Sequence, residues 1–133
     1  MVSTFVDTSA LLAVLHVHDA DHTRAGPVWE KLLREGEDLI TSNYVLVEVH
    51  SLVQARLGLQ AVGRLEQDII PALRIRWVDE GLHATAVASV LAAAQRKLSL
   101  VDCSSFAVMQ EAGIRRVFAF DRHFEERGFE LVA

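Results

Sequence analysis

Short runs of β-branched and aromatic residues alternate with longer runs of helical periodicity along the 133-residue chain. Strands that alternate with helices in this way pair in parallel, because each helix returns the chain to the same end of the sheet. We therefore predict an α/β fold, a three-layer α/β/α sandwich with a mostly parallel central sheet. The predicted strands are residues 3–6, 39–41, 74–78, 117–120 and 129–132, and the predicted helices are residues 9–15, 23–34, 44–57, 59–70, 82–96, 100–112 and 122–126.

The length and composition indicate one globular domain over residues 1–133, because 51 % of the residues are hydrophobic and supply a core. The net charge of −5 is not typical of proteins that bind nucleic acid through a basic surface. It leaves open binding through a few arginines and a metal ion. The longest apolar run, residues 84–94, is too short to span a bilayer, and "MVSTFVD" has no signal-peptide pattern. We expect a cytoplasmic protein that does not enter a membrane.

Two aspartates directly follow predicted strands. Asp7 ends the first strand in "FVDTSALLAVL", and Asp121 ends the strand "VFAF". The carboxyl ends of parallel strands meet at one edge of a sheet, where α/β proteins bind their ligands. Two further acids stand at helical positions, Asp102 in "LSLVDCSSFAVM" and Glu48 among apolar neighbours in "SNYVLVEVHSLV".

Each aspartate also has a structural interpretation. Asp7 and Asp121 are suited to cap the helices that follow them. Ser99 and Asp102 match the pattern of a capping box, in which the acid serves the start of its own helix. For a single aspartate, capping and chemistry both remain open.

Glu48 is harder to explain by local structure, because a glutamate on an apolar helix face is costly unless it is paired or binds a cation. The structural alternative is a buried ion pair with Arg56 or Arg96. If the four acids converge, their repulsion raises pKa values unless a cation is present. Carboxylate oxygens suit Mg²⁺ or Mn²⁺, which orient a phosphate and lower the pKa of a bound water.

Four segments in this order and spacing are similar to those of the PIN-domain ribonucleases, and in particular of the VapC-type toxins of prokaryotic type II toxin–antitoxin systems. The segments are "FVDTSALLAVL", "SNYVLVE", "LSLVDCSSFAVM" and "VFAFDRHFEERGFE", and the resemblance runs from about residue 5 to residue 130. It implies a single PIN-like domain and a metal-dependent endoribonuclease. The implied reaction is hydrolysis of an RNA phosphodiester by metal-activated water, without a covalent enzyme intermediate.

The resemblance also implies roles for individual residues. Asp7 and Asp102 match the main ligands of Mg²⁺ or Mn²⁺, and Asp121 completes the site directly or through water. Glu48 binds a second metal or positions the attacking water. Three further residues match polar positions that line such sites: Thr8, Ser9 and Ser105.

The partners implied are an RNA substrate, a small cognate antitoxin that inhibits the toxin, and a second copy of the chain in a homodimer. The apolar residues of segments 43–53 and 59–70 are candidates for the contact surfaces. Packing into the protein's own core is the alternative for either segment.

Other polar residues near the motifs have two open interpretations. Asn43 precedes the helix that carries Glu48, and either lines the site or caps that helix. Arg115, Arg116 and Arg122 form a basic cluster around the last motif, and either contact substrate phosphates or form a solvated rim.

Two other functions fit the same predicted fold less well. A haloacid-dehalogenase-like phosphatase needs a second aspartate at position 9, which is Ser9, and a receiver domain needs paired acids where Thr8 follows Asp7. Both also need a lysine after a later strand, and neither Lys31 nor Lys97 follows a predicted strand. A non-catalytic PIN-like module that binds RNA or protein is disfavoured because all four acids are present.

Overall fold

The computed structural model describes residues 2–133. Within these residues, five β-strands alternate with seven α-helices. The strands are β1 (Ser3–Val6), β2 (Asp38–Ser42), β3 (Arg74–Arg76), β4 (Arg116–Phe118) and β5 (Glu130–Leu131), and the helices are α1 (Thr8–Leu15), α2 (His22–Arg34), α3 (Asn43–Leu57), α4 (Leu59–Arg64), α5 (Glu80–Ala93), α6 (Leu100–Ala112) and α7 (His123–Glu126). None of these helices is long and apolar enough to cross a membrane.

The strands form one fully parallel sheet in the order β3-β2-β1-β4-β5. Phe5 of β1 lies opposite Ile40 of β2 on one side and opposite Val117 of β4 on the other. The chain first builds outwards from β1 through β2 to β3, and then returns to the other side of β1 for β4 and β5. The strand order therefore reverses between β1 and β4, where an α/β sheet opens a crevice at its carboxyl edge.

Helices cover both faces of the sheet, and this confirms the predicted three-layer α/β/α class. Crossovers between parallel strands are right-handed as a rule, which puts the helices between β1 and β3 on one face and those after β3 on the other. Accordingly, α1 packs against α2 and α3, while α5 packs against α6. The central strands are sealed between these layers, since Phe5, Val6, Val117 and Phe118 have no exposed surface. Full burial of such a side chain stabilises the folded state by roughly 1.5–3 kcal/mol. Strands β1 and β4 therefore form a stable base for the crevice.

Two helices differ from their predicted bounds by two residues or more, for local reasons. The predicted helix 59–70 is regular only in α4 and continues as a π-helical turn (Leu65–Ile69) and a 3₁₀ turn (Ile70–Ala72), because Pro71 has no N–H for a regular ladder. The predicted helix 82–96 begins earlier, at Glu80, since the Asp79 side chain accepts a hydrogen bond from the Leu82 N–H (2.9 Å). It ends at Ala93, and Ala94 takes a left-handed conformation (φ 51°).

Candidate active site

The crevice between β1 and β4 carries the first and last of the predicted acids. Asp7 directly follows β1, and its backbone N–H donates to the Phe118 carbonyl of β4 (3.0 Å). Asp121 follows β4, so both aspartates lie at the carboxyl edge, as the parallel sheet predicts. All four predicted acids line one cavity of about 320 Å³ at this edge, together with Thr8, Ser9, Leu12, Leu52, Lys97 and Ser99.

Asp7 has two roles, a helix cap and a buried acid. Its Oδ2 accepts hydrogen bonds from the Ser9 backbone N–H (3.1 Å) and the Ser9 hydroxyl (2.7 Å) at the start of α1. The residue is only 4 % exposed. Burial raises the pKa of Asp7 to about 7, and the negative charges of Asp102 and Asp121 add to the rise, while the hydrogen bonds from Ser9 oppose it. Near neutral pH this carboxyl therefore changes readily between its charged and neutral forms.

Ser9 connects the two central strands at the site. Its hydroxyl donates to Asp7 and accepts a hydrogen bond from the Phe120 N–H (3.0 Å), one residue before Asp121. The same hydroxyl thus holds the first acid in place and fixes the backbone that presents the last one. This arrangement agrees with the predicted position of Ser9 beside the acids.

Ser9→Ala is expected to destabilise the fold by about 1–3 kcal/mol, because the Phe120 N–H loses its acceptor. It is also expected to raise the pKa of Asp7 further, since one hydrogen bond to the carboxylate is lost. Urea unfolding at several pH values measures both effects. Ser105→Ala is the matched control, because it removes only a hydroxyl bond to the Val101 carbonyl of the same helix (3.1 Å). Equal stability losses in the two variants would contradict the bridging role of Ser9.

Asp102 occupies the third position of α6 and forms a reciprocal capping box with Ser99. The Ser99 N–H donates to Asp102 Oδ2 (3.1 Å), and the Asp102 N–H donates to the Ser99 hydroxyl (3.0 Å). Burial raises the pKa of Asp102 above its usual value, and the charge of Asp121 adds to this, while the bonds from Ser99 and the nearby His123 lower it. Capping and cavity lining coexist in this residue, so the two interpretations of the sequence do not exclude each other.

The remaining two acids reach the cavity from the segment after β4 and from α3. Asp121 accepts a hydrogen bond from the His123 N–H (2.9 Å) at the turn into α7. Glu48 projects from the middle of α3 and is half-buried. Among residues 2–133 it forms no ion pair, so the pair with Arg56 or Arg96 considered from the sequence is not formed.

The other predicted polar positions divide into two groups. Thr8 lines the cavity, and its buried hydroxyl has no hydrogen-bond partner among the described residues. Asn43 and Ser105 do not line the cavity. The Asn43 side-chain oxygen accepts from the Val78 N–H (2.6 Å), and the cap of α3 is Ser42 instead. Ser105 is fully buried within α6.

Strand β4 separates the three arginines that form a basic cluster in the sequence. Arg116 begins that strand at the amino edge of the sheet, where it pairs with Glu37 (3.3 Å), and Arg115 is exposed beside it. Arg122 instead follows Asp121 at the carboxyl edge. Of the three arginines only Arg122 lies at the carboxyl edge, and it lines a separate cavity with Arg24 and Phe120 rather than the acid cavity.

Lys97 is a cavity residue that the sequence did not single out. It lies in the connection between α5 and α6, two residues before Ser99, and lines the cavity with the four acids. Its proximity in sequence to Ser99 and Asp102 was the available signal. In the sequence, lysines were sought after strands, whereas Lys97 precedes a helix.

The donors in the cavity fit a hydrated Mg²⁺ or Mn²⁺ ion. All of the acidic donors are oxygen atoms, the type that these hard cations prefer. Among residues 2–133, no three His, Cys, Asp or Glu side chains form a ready-made metal cluster. Mg²⁺ usually retains several waters and binds one or two carboxylates directly, so a set of spaced carboxylates around a cavity suits it.

Comparison with known proteins identifies the family. The model of the PIN domain family matches residues 4–130. The chain belongs to the PIN domain family. The four acids to which the sequence resemblance assigns the metal site all line one cavity of this PIN domain protein.

A curated relative supports the same assignment. The chain is 34 % identical over 126 residues to the "23S rRNA-specific endonuclease VapC20" of Mycobacterium tuberculosis, with 94 % of each protein covered. It also matches the crystal structure of M. tuberculosis VapC20, described as a Sarcin-Ricin loop cleaving toxin. That match has a TM-score of 0.86, 32 % identity, and coverage of 97 % of this chain and 98 % of that one. The predicted resemblance to VapC-type PIN domains is therefore confirmed.

A more distant structure shares the fold alone. FitAcB from Neisseria gonorrhoeae matches with a TM-score of 0.70 at 19 % identity, over 98 % of this chain and 96 % of that one.

Proposed function

We propose that this PIN domain protein is a metal-dependent endoribonuclease, the toxin of a toxin–antitoxin pair, and that its 133 residues form one domain acting in the cytoplasm. The observation that carries the proposal is the cavity at the β1–β4 crevice, which brings Asp7, Glu48, Asp102 and Asp121 together. A non-catalytic PIN-like binding module has no need for four acids in one cavity. Their mutual repulsion only costs stability unless a cation is bound.

Each acid has a distinct role in the proposed mechanism. Asp7 and Asp102, the two acids whose pKa values are raised, hold Mg²⁺ or Mn²⁺ when they are ionised. Asp121 completes the site directly or through water, and Glu48 holds a second ion or orients the attacking water. The bound cation supplies positive charge and a lower pKa for water. The buried strands β1 and β4 hold the carboxylate donors in place.

The proposed reaction is hydrolysis of an RNA phosphodiester. A water oxygen adds to phosphorus while one bond from phosphorus to a ribose oxygen breaks. The water loses a proton, and the departing ribose oxygen gains one, so the products are a phosphate end and a hydroxyl end. Glu48 lies beside the other acids without an ion pair among the described residues, and accepts a hydrogen bond from the attacking water.

The relative suggests the first RNA and the first partner to test. VapC20 is named for the 23S rRNA, so we take the large ribosomal RNA as the leading substrate of this chain. A small antitoxin and a second copy of the chain are the proposed protein partners. An apolar cavity of about 320 Å³ lined by Tyr44, Val47, Glu48 and Val101 adjoins the acids and offers a contact surface on α3.

The test is cleavage of intact ribosomes, purified ribosomal RNA and total RNA by the purified protein, with Mg²⁺, with Mn²⁺ and with EDTA. Discrete fragments that require the metal are expected from at least one substrate. Asp102→Asn is expected to abolish them, because the variant removes one of the two main ligands.

Ser99→Ala provides the matched control, since it disturbs the capping box of Asp102 but keeps the carboxylate. It is expected to lose stability while retaining metal-dependent cleavage. If a folded, antitoxin-free sample binds RNA without producing fragments in any of these conditions, the non-catalytic module is the correct interpretation.

A further inference from the structure

Lys97 is the only basic residue among those that line the acid cavity. It lies in the connection between α5 and α6 and is exposed at the rim. The helix that begins just after it carries Asp102, so the position of Lys97 relative to the acids is set by the fold of this short connection. A single lysine is thus the one basic residue, among the described residues, that lines the cavity with the four acids.

The ammonium group of Lys97 is not paired with a carboxylate of the described residues. Among residues 2–133 it forms no ion pair. The other lysine of the chain, Lys31, pairs with Glu35 (4.0 Å) on the surface of α2. Lys97 is therefore available to a ligand that enters the cavity.

An RNA strand entering this cavity needs positive charge close to its phosphate. The phosphate is negative, and the four acids repel it before any cation is bound. A lysine ammonium on a flexible stem is a suitable point charge for a phosphate oxygen.

We propose that Lys97 binds a non-bridging oxygen of the scissile phosphate, as a substrate-binding residue of the cavity. This inference rests on the proposed ribonuclease function and adds a residue to it. The positive charge of Lys97 offsets the repulsion between the phosphate and the four acids. It also stabilises the negative charge that accumulates on the phosphate oxygens during hydrolysis.

The test compares Lys97→Ala, Lys97→Arg and Lys31→Ala in metal-dependent cleavage of the RNA that the wild-type protein cuts. Lys97→Ala is expected to lower kcat/KM by about 10- to 100-fold. The slope of log kcat/KM against log salt is expected to become shallower by about 0.7, the value for one phosphate contact to a single strand. Lys97→Arg keeps the charge and is expected to recover most of the activity. Lys31→Ala is expected to match wild type.

A second measurement reports contact without cleavage. In the Asp7→Asn variant, amine acetylation followed by mass spectrometry compares Lys97 and Lys31, with and without RNA at a concentration that saturates fluorescence anisotropy. RNA is expected to protect Lys97 and to leave Lys31 reactive.

The possible results separate the two proposals. If wild type cleaves RNA, and Lys97→Ala has unchanged kcat/KM and salt slope, the role of Lys97 is wrong while the ribonuclease function stands. If no RNA is cleaved by wild type, the proposed function fails, and the acetylation result still decides whether Lys97 contacts RNA.

Discussion

Asp7→Asn is expected to lower RNA cleavage by about 10³-fold or more, while the protein stays as stable as wild type or becomes more stable. The loss of activity follows because an amide does not replace a carboxylate as a ligand for Mg²⁺. The stability is kept because Asn retains an oxygen that accepts the two hydrogen bonds from Ser9. It also removes a buried charge that Asp102 and Asp121 repel. Cleavage assays and urea unfolding in EDTA measure the two effects.

The stability difference is expected to depend on pH in a defined direction. The pKa of Asp7 is about 7 in the folded protein and 3.8 when the group is free in water, so the folded state holds the proton more tightly. Wild type therefore loses stability as the pH rises from about 4 through about 7, and Asp7→Asn does not share this loss. The difference is expected to approach about 4 kcal/mol at most above pH 7.

Asp38→Asn is the matched control for this substitution. Asp38 lies at the amino edge of the sheet, where hydrogen bonds from Arg74 hold the pKa of its carboxyl below its usual value. Asp38→Asn is expected to leave RNA cleavage unchanged. If Asp7→Asn retains full activity, or if Asp38→Asn loses as much, the catalytic site is not at the β1–β4 crevice.

Local sequence signals were sufficient for the acids that adjoin strands. Asp7 and Asp121 follow β1 and β4, and the parallel pairing of alternating strands places both at one edge. Ser99 and Asp102 form the capping box that their spacing indicates. The sheet class and most helix bounds depend on the same short-range patterns, which explains why they were predictable.

Tertiary contacts decide what the sequence left open. Arg116 and Arg122 are close in sequence, but β4 and the residues that follow it carry the chain from one edge of the sheet to the other, at about 3.3 Å per residue. Asn43 was suited to cap α3, but Ser42 caps this helix, and the Asn43 side-chain oxygen accepts a hydrogen bond from the N–H of Val78, far along the chain. Lys97 reaches the cavity only through the path of the α5–α6 connection, which no periodic pattern reveals.

Mg²⁺ is expected to raise the melting temperature of the wild-type protein, because a ligand that binds only the folded state stabilises it. At a concentration 100 times its Kd, the ion contributes about 2.7 kcal/mol. The effect is expected to grow with pH, since a carboxyl must lose its proton before it binds a metal. Burial gives Asp7 a pKa of about 7, so protonation weakens metal binding at pH 6 far more than at pH 8. The rise in melting temperature is therefore expected to be about 4 °C smaller at pH 6.

Asp7→Asn separates specific binding from a general effect of salt. Without the carboxyl of Asp7, the remaining shift is expected to be smaller and to depend less on pH between 6 and 8. Adding the same ionic strength as KCl is expected to reproduce none of the pH-dependent part. A wild-type shift that is equal at both pH values would contradict Asp7 as a metal ligand. If Asp7→Asn shows the same rise in melting temperature as wild type, the ion instead binds the other three acids, and Asp7 acts only as a buried helix cap.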